Sequence, residues 1–394
     1  MRIPTVSVYM VAYNHEKFIS KAIESVVQQD TNFDFELIIS EDCSTDGTRE
    51  IINCYASRYP DIIKPIYNEA NNGAIVNFSR IVRYCKGQYI AILDGDDYWS
   101  SPTKLMQQVE FLDAHVDYSI CFHKTRVFYE DQRKNNYMIP ASYQEIKTYS
   151  IDDLFNDFFL PSSSVMFRGG LITDFPGWFY SMPFGDRPLY IMLAEFGKIG
   201  YINEEMSAYR IHADGIWSLK HFDQREYYLL KKIEMLAYFD EYFNKMYEKQ
   251  ISLSLHRYKT SLLIEQIKME YKDIQEKVGL VSTDVLLNKK IVIFGTGEFA
   301  ENMFILCTNI KLNVAYFVDN NSAKWGSRSN GIEVCSPEGL SSENKSNIFV
   351  LISSMYYREI CEQLVNMSFE ENIHFIFGLD LLYYIESRKY YDYL

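Results

Sequence analysis

The chain has 394 residues, with 39 Lys and Arg against 53 Asp and Glu, for a formal net charge of −14. At about 100–200 residues per domain, that length predicts two or three domains. A hydrophobic share of 47% with 23% charged residues excludes a mostly disordered chain, and the acidic balance excludes a broad nucleic-acid surface, which needs clustered Lys and Arg. Seven Cys are scattered and never form a CxxC pair, which reads as reduced thiols rather than a disulfide frame or zinc site. No apolar run approaches the roughly 18–20 residues of a membrane span, and the opening residues show no signal-peptide core. The expectation is a soluble, cytoplasmic protein. Aromatic residues make up 16%, with 32 Tyr, and such rings fill cores and line clefts.

In chain order, 6–11 is a β-branched strand and 16–29 an amphipathic helix with Phe18, Ile19, Ala22, Ile23, Val26 and Val27 on one side. A strand is expected at 35–40, a helix at 48–58, a strand at 62–67, a helix at 77–85 and a strand at 89–93. Strands alternating with helices predict an α/β fold with a mostly parallel sheet covered on both faces. Residues 131–215 read as irregular, with a helix at 188–196. From 221 to 277 the chain turns rich in Leu, Lys, Glu, Tyr and Met with almost no Gly or Pro, which reads as helices whose apolar stripes pack as core. A second alternating unit begins near Lys289, with strands at 290–294, 314–318 and 349–353 and a helix at 298–308. The division is therefore 1–220, a helical connector 221–284, and 285–394.

The sharpest local feature is Asp94-Gly95-Asp96-Asp97 directly after an apolar strand. In open α/β sheets ligands bind beyond the carboxyl ends of strands. Adjacent carboxylates repel unless a cation or solvent relieves them, and hard divalent cations take oxygen ligands together with substrate phosphates. An EF-hand loop is excluded, because Trp99 stands where its glycine belongs and no Glu stands at its twelfth position. The alternative is an acidic turn in which Asp97 caps a helix. A second polar cluster, Ser40 to Thr48, follows another strand; Asp46 or Ser44 fits a helix N-cap, while Asp42 sits at the strand end, free to accept a hydrogen bond from a base edge.

Together with Val8-Tyr9-Met10-Val11-Ala12-Tyr13-Asn14, these two clusters resemble the family 2 glycosyltransferases of the GT-A fold, over roughly residues 4–218. The resemblance implies that Ala12, Tyr13, Asn14 and Asp42 cradle a nucleotide base, that Asn72 and Asn77 help close the pocket, and that Asp94 meets the ribose. It implies Mn²⁺ or Mg²⁺ on the diphosphate, held by Asp96. Asp186, before a helical run, is similar to the family's catalytic base, although Gly185 stands where the family often has Glu; the alternative for Asp186 is a helix N-cap. Tyr209-Arg210-Ile211-His212 resembles the family's closing motif, which gives His212 to the metal and Arg210 to the diphosphate as a bidentate fork. Residues 215–218 fit a flap, and Pro161-Ser162-Ser163-Ser164 an acceptor-side wall. The implied activity is metal-dependent inverting transfer from a nucleoside-diphosphate sugar, with UDP the expected nucleotide, to a glycan or lipid-linked acceptor in surface polysaccharide synthesis. Peripheral association with the inner face of a membrane and homo-oligomerisation stay open.

Lys290 to Ala300 fits strand, G-x-G-x-x-A turn and helix, with Asp319 ending the next strand about 20 residues on, where a ribose-binding acid belongs. A Rossmann-like domain follows, with Gly295, Gly297 and Asp319 as candidate ligand residues and a scaffold or oligomerisation role as the competing reading. Two other functions stand beside the transferase: a sugar-nucleotide-binding assembly module without turnover, and a nicotinamide-dependent oxidoreductase centred on 295–300.

Overall fold

The computed structural model describes residues 3–131, 135–140, 148–213, 215, 224–270, 286–309, 311–354, 356–371, 373–378 and 381. The expected flap residues 216–218 and the connector residues 271–284 lie outside them. Two compact units divide the chain, Met1–Lys259 and Thr260–Leu394, so the helices up to Lys259 in the segment read as a connector belong to the first unit.

The first unit opens with β1 (Val6–Ala12), α1 (Ile19–Val27), β2 (Phe35–Glu41), α2 (Thr48–Arg58), β3 (Ile63–Tyr67), α3 (Ala74–Val82) and β4 (Tyr89–Ile92), close to the predicted alternation. Helix α1 starts three residues later than expected. Asn14 adopts φ 56, and Glu16 is used in the preceding turn, its amide donating to Asp46 Oδ2 at 3.1 Å and its Oε2 accepting from the Gly47 amide at 3.0 Å. There follow β5 (Tyr98–Trp99), α4 (Lys104–Ala114), β6 (Tyr118–Tyr129), β7 (Tyr137–Ile139), β8 (Thr148–Tyr149), α5 (Ile151–Phe155), β9 (Met166–Arg168), α6 (Asp186–Ala194), β10 (Lys198–Ile211), α7 (Arg225–Tyr242) and α8 (Glu248–Glu270).

The sheet order is β3-β2-β1-β4-β9-β6-β10-β5, with β7 on β6 and β8 on β10. Pairing is parallel from β3 through β4 and between β6 and β10, and antiparallel at β9 and β5. Among its described residues, the region read as irregular holds β7 to β10, α5 and α6. Its long strand β10 escaped the pattern because register shifts against β6 between Ile202 and Ser207 break the alternation, where exposed Glu204 and Glu205 sit. Strands β1 and β4 are buried along nearly their whole length, as expected for strands covered on both faces, and Val8, Met10, Ile39, Ala91, Ile19, Ile23 and Leu105 share one core cluster.

The second unit holds β11 (Lys290–Phe294), α9 (Glu298–Asn309), β12 (Asn313–Val318), β13 (Arg328–Ser329), β14 (Ile332–Cys335), β15 (Ile348–Ile352), α10 (Tyr357–Asn366) and β16 (Phe375–Phe377). Its sheet runs β13-β14-β12-β11-β15-β16, parallel except for β13. The order reverses between β11 and β15, as in doubly wound folds.

Gly87 shows how tightly β1 and β4 meet at their amino ends. Its amide donates to Ser7 Oγ at 2.8 Å. A Cβ there would lie 2.7 Å from the Tyr89 carbonyl oxygen, 2.8 Å from the Val6 carbonyl carbon, and closer still to the Ser7 nitrogen. Backbone cannot yield as a flexible side chain would, so Gly87→Ala is expected to destabilise by about 1–3 kcal/mol, read as a lower urea midpoint with an unchanged slope.

Candidate active site

The parallel register pairs Val6 to Tyr9 of β1 with Tyr89 to Ile92 of β4, and Ala12 with Glu41 of β2. The residues after these strands therefore emerge side by side at one sheet edge. Asp42 and Asp94 flank β1, which at strand spacing sets them about 10 Å apart. Strand β10, beside β6, ends at the same corner with Arg210 and His212.

Ser162 and Arg210 hold the Asp94–Asp97 turn. Ser162 Oγ donates to Asp94 Oδ2 at 2.7 Å. The Arg210 amide donates to Asp97 Oδ1 at 2.8 Å and its Nε to the Asp96 carbonyl at 2.8 Å. Asp97 is therefore no helix cap; its Oδ2 is buried with no hydrogen-bond partner among the described residues. The Arg210 guanidinium also pairs with Glu130 and lies against the rings of Phe18 and Phe128, 4.6 and 4.9 Å from their centroids. The fork expected for a diphosphate thus braces the acidic turn.

His212 Nε2 lies 3.1 Å from Asp96 Oδ2, and His15 Nε2 lies 3.8 Å from the same oxygen. His15 was absent from the sequence-based site. It follows β1, is far from Asp96 in sequence, and carries no motif; only the β1–β4 pairing brings the two together. A Cβ on Gly95 would sit 2.7 Å from His15 Nδ1, so glycine is what lets the imidazole pack against the turn.

Burial and then the neighbouring Asp96 charge push the Asp94 carboxyl up to about 7, with Asp186 adding to the rise. Burial, Asp96 and Asp94 raise Asp97 as well. Burial alone would also raise Asp96, but His15 and His212 outweigh it and hold that carboxyl below its ordinary range. Asp186 is raised by burial. It sits in the first turn of α6, whose N-cap is Gly185, and its Oδ1 accepts from the Arg187 amide at 2.8 Å. Its charge is felt at Asp94, Tyr9 and Tyr209, so the carboxylates of α6 and of the β4 turn share one corner.

On the β2 side, Asp42 is buried and already occupied. Its Oδ1 accepts from Asn68 Nδ2 at 2.8 Å and the Asn72 amide at 3.0 Å, and its Oδ2 from the Gly73 amide at 3.0 Å. This carboxylate fixes the loop into α3, where Gly73 has φ 84. Asn77 is buried beneath it, its Nδ2 donating to the Ser40 carbonyl at 3.2 Å. Tyr13 remains 41% exposed, and Asn14 Oδ1 accepts from the Thr45 amide at 2.9 Å.

Asp96 Oδ2 and His212 Nε2 are close enough to share one cation at bond lengths of about 2.0–2.2 Å. Among the described residues, no group of three or more His, Cys, Asp or Glu is arranged to hold a metal ion, so substrate oxygens and water would complete such a shell. In the second unit, Gly295 has φ 121, which suits the expected turn. Asp319, however, accepts from Thr296 and, at 3.1 Å, from Lys324 Nζ on Oδ2, and from the Asn321 amide at 2.8 Å on Oδ1.

Residues 7–172 match the glycosyl transferase family 2 profile. Residues 287–374 match a profile described as C2185-like, N-terminal. An uncharacterized protein of Mycobacterium tuberculosis is 38% identical over 223 residues, 56% of this chain and 63% of that protein. The putative glycosyltransferase EpsE of Bacillus subtilis is 38% identical over 138 residues, 35% of this chain and 49% of EpsE. The chain thus spans less than two thirds of the length of these curated relatives. The crystal structure of S. aureus TarS 1-349 in complex with UDP-GlcNAc is similar with a TM-score of 0.49 and 18% identity, covering 65% of this chain and 72% of that one. Among the described residues no helix is long and apolar enough to cross a membrane.

The raised Asp94 sets a pH dependence of stability. An unfolded Asp releases its proton near pH 4, whereas the folded group keeps it to about pH 7. Between those values the native state holds the extra proton, so stability falls as pH rises through that window. Thermal unfolding from pH 4 to 8 without divalent cation should show this fall, and Asp94→Asn should flatten it; superimposable profiles would contradict the assignment.

Proposed function

We propose that the first unit is a glycosyltransferase that moves a sugar, with inversion, from a nucleoside-diphosphate sugar to a glycan or lipid-linked acceptor in polysaccharide assembly. One observation carries the reading: the carboxylates of Asp94 and Asp96, from the turn after β4, and of Asp186, from α6, meet in one partly buried corner at the carboxyl ends of β1 and β4, within a fold whose residues 7–172 match the family 2 profile.

The geometry supports the following division of labour. Exposed Tyr13 offers a ring to the nucleotide base, and Asp42 holds the 68–73 loop beside it while Oδ2, with one protein donor, keeps a lone pair for the base edge. Asp94 faces the ribose. Asp96 and His212 would hold Mn²⁺ or Mg²⁺ on the diphosphate, where a cation supplies charge stabilisation to the leaving group. Arg210 keeps that turn in place and His15 sets the charge of Asp96. Asp186 takes the proton of the acceptor hydroxyl as the anomeric carbon is attacked. Its raised pKa suits that role, because a general base works best when its pKa approaches the working pH. In the second unit the protein's own Thr296, Lys324 and Asn321 occupy the Asp319 carboxylate, which supports a scaffold role over dinucleotide binding.

A panel of nucleotide sugars with Mn²⁺, scored for release of nucleoside diphosphate, tests the reading. Asp96→Ala and Asp186→Ala should each lower turnover by about 10²-fold or more, and only the first should weaken cation-dependent donor binding. Near-normal turnover in Asp186→Ala would remove the base assignment.

A further inference from the structure

Immediately behind Asp186 lies an ion network that the site itself does not use. Arg187, the next residue, is nearly buried, and its guanidinium reaches three partners. Nη1 pairs with Asp157 Oδ1; Nη2 donates to the Leu154 carbonyl at 2.6 Å and to Tyr258 Oη at 3.0 Å. Tyr258 Oη in turn donates to Asp157 Oδ1 at 2.9 Å, and Lys232 Nζ lies 3.2 Å from the same oxygen. Asp157 follows α5 with φ 70, which turns its carboxylate back into the cluster. Burial would raise Asp157, but Arg187, Lys232 and Tyr258 override it and hold it ionised well below the usual carboxylate range. Four elements are tied at one point: the turn after α5, the first turn of α6, α7 through Lys232 and α8 through Tyr258.

Aromatic packing makes the same connection. Trp178, just upstream of α6, stacks on Tyr238 of α7 at 5.4 Å and meets Phe239 edge-on at 5.0 Å. Phe155 of α5 packs on Phe239 and Phe243, and Ser254 of α8 donates to the Phe155 carbonyl at 2.5 Å. Helices α7 and α8 thus grip the element that carries Asp186, while the nucleotide-facing residues follow β1, β2 and β4.

We infer that the helices of residues 225–259 are part of the transfer machinery: the Asp157–Arg187–Lys232–Tyr258 network positions Asp186 against the acceptor hydroxyl, with the four as positioning residues. The inference rests on the proposed role of Asp186 as base. An arginine suits the place because its rigid planar fork spreads donors over two nitrogens to reach carboxylate, carbonyl and phenol together, whereas Lys must bring all its donors from one point on a flexible stem. Loosening the network lets the first turn of α6 shift, and displacements of about 1 Å at a reacting group lower rates by about 10²-fold. None of the hydrogen bonds described for the network reaches β1, β2 or β4, which carry the nucleotide contacts.

The test uses the full chain and the nucleotide sugar that the wild type turns over. Tyr258→Phe and Lys232→Met each remove one strand of the network with little change of volume; Arg187→Lys and Asp186→Asn complete the set. The expected result is a kcat lowered about tenfold in Tyr258→Phe and Lys232→Met, with donor KM and UDP affinity in the presence of Mn²⁺ within about twofold and unfolding midpoints close to wild type. The double variant should be no worse than the poorer single one, since both act through one network. Arg187→Lys should fall further without regaining the loss. Unchanged kcat in both mild variants while Asp186→Asn is inactive would overturn the positioning role alone. Full turnover in Asp186→Asn would overturn the base assignment and this inference with it. A parallel loss of UDP affinity would show a general structural role instead and would likewise overturn it.

Discussion

Mutual repulsion among carboxylates confined to one partly buried corner governs the first unit. Three aspartates of a single turn, Asp94, Asp96 and Asp97, share that corner with Asp186; burial raises Asp94, Asp97 and Asp186, the charges of Asp96 and Asp186 add to the rise at Asp94, and those of Asp96 and Asp94 to the rise at Asp97. Such a cluster survives folding only if protons, cations or hydrogen-bond donors offset it. The chain supplies all of these. Asp94 and Asp97 hold protons more tightly than ordinary carboxylates, His15 and His212 flank Asp96, and Arg210 braces the turn from behind. The long strand β10 exists in this light to return Arg210 and His212 to an edge built by β1 and β4.

The same constraint divides the aspartates into roles. Asp96, with two imidazoles beside it, is the carboxylate kept ionised and is suited to a cation. Asp94 and Asp186 have raised pKa values for lack of such company, and a cation-bound diphosphate entering the corner would relieve Asp94. On the proposed function, ligand binding and protonation would be coupled through one turn, and the glycine at 95 keeps that turn in contact with His15.

Much of this was legible from the chain alone, for a physical reason. Strands β1 to β4 are short, apolar and separated by polar turns, so their carboxyl ends announce themselves, and Asp42, Asp94 and Asp96 were found there. Contacts formed by return of the chain were not legible. His15 meets Asp96 only through strand pairing, Ser162 reaches Asp94 from a distant part of the chain, and the Arg210 side chain faces the protein's own Glu130 and Asp96 backbone. The helices after residue 224 read as a connector because their stripes resemble any helical core. Their grip on Arg187 depends on three distant side chains, Asp157, Lys232 and Tyr258, whose meeting no periodicity encodes.

The claim that a cation-bound pyrophosphate settles against this acidic corner has a direct measure in calorimetric titration of the full chain with UDP, with Mn²⁺ present and then with a chelator in excess. The account predicts heat of binding with Mn²⁺ that disappears on chelation and is lost in Asp96→Ala. Equal UDP affinity in chelator, or binding with Mn²⁺ that Asp96→Ala leaves intact, would contradict it.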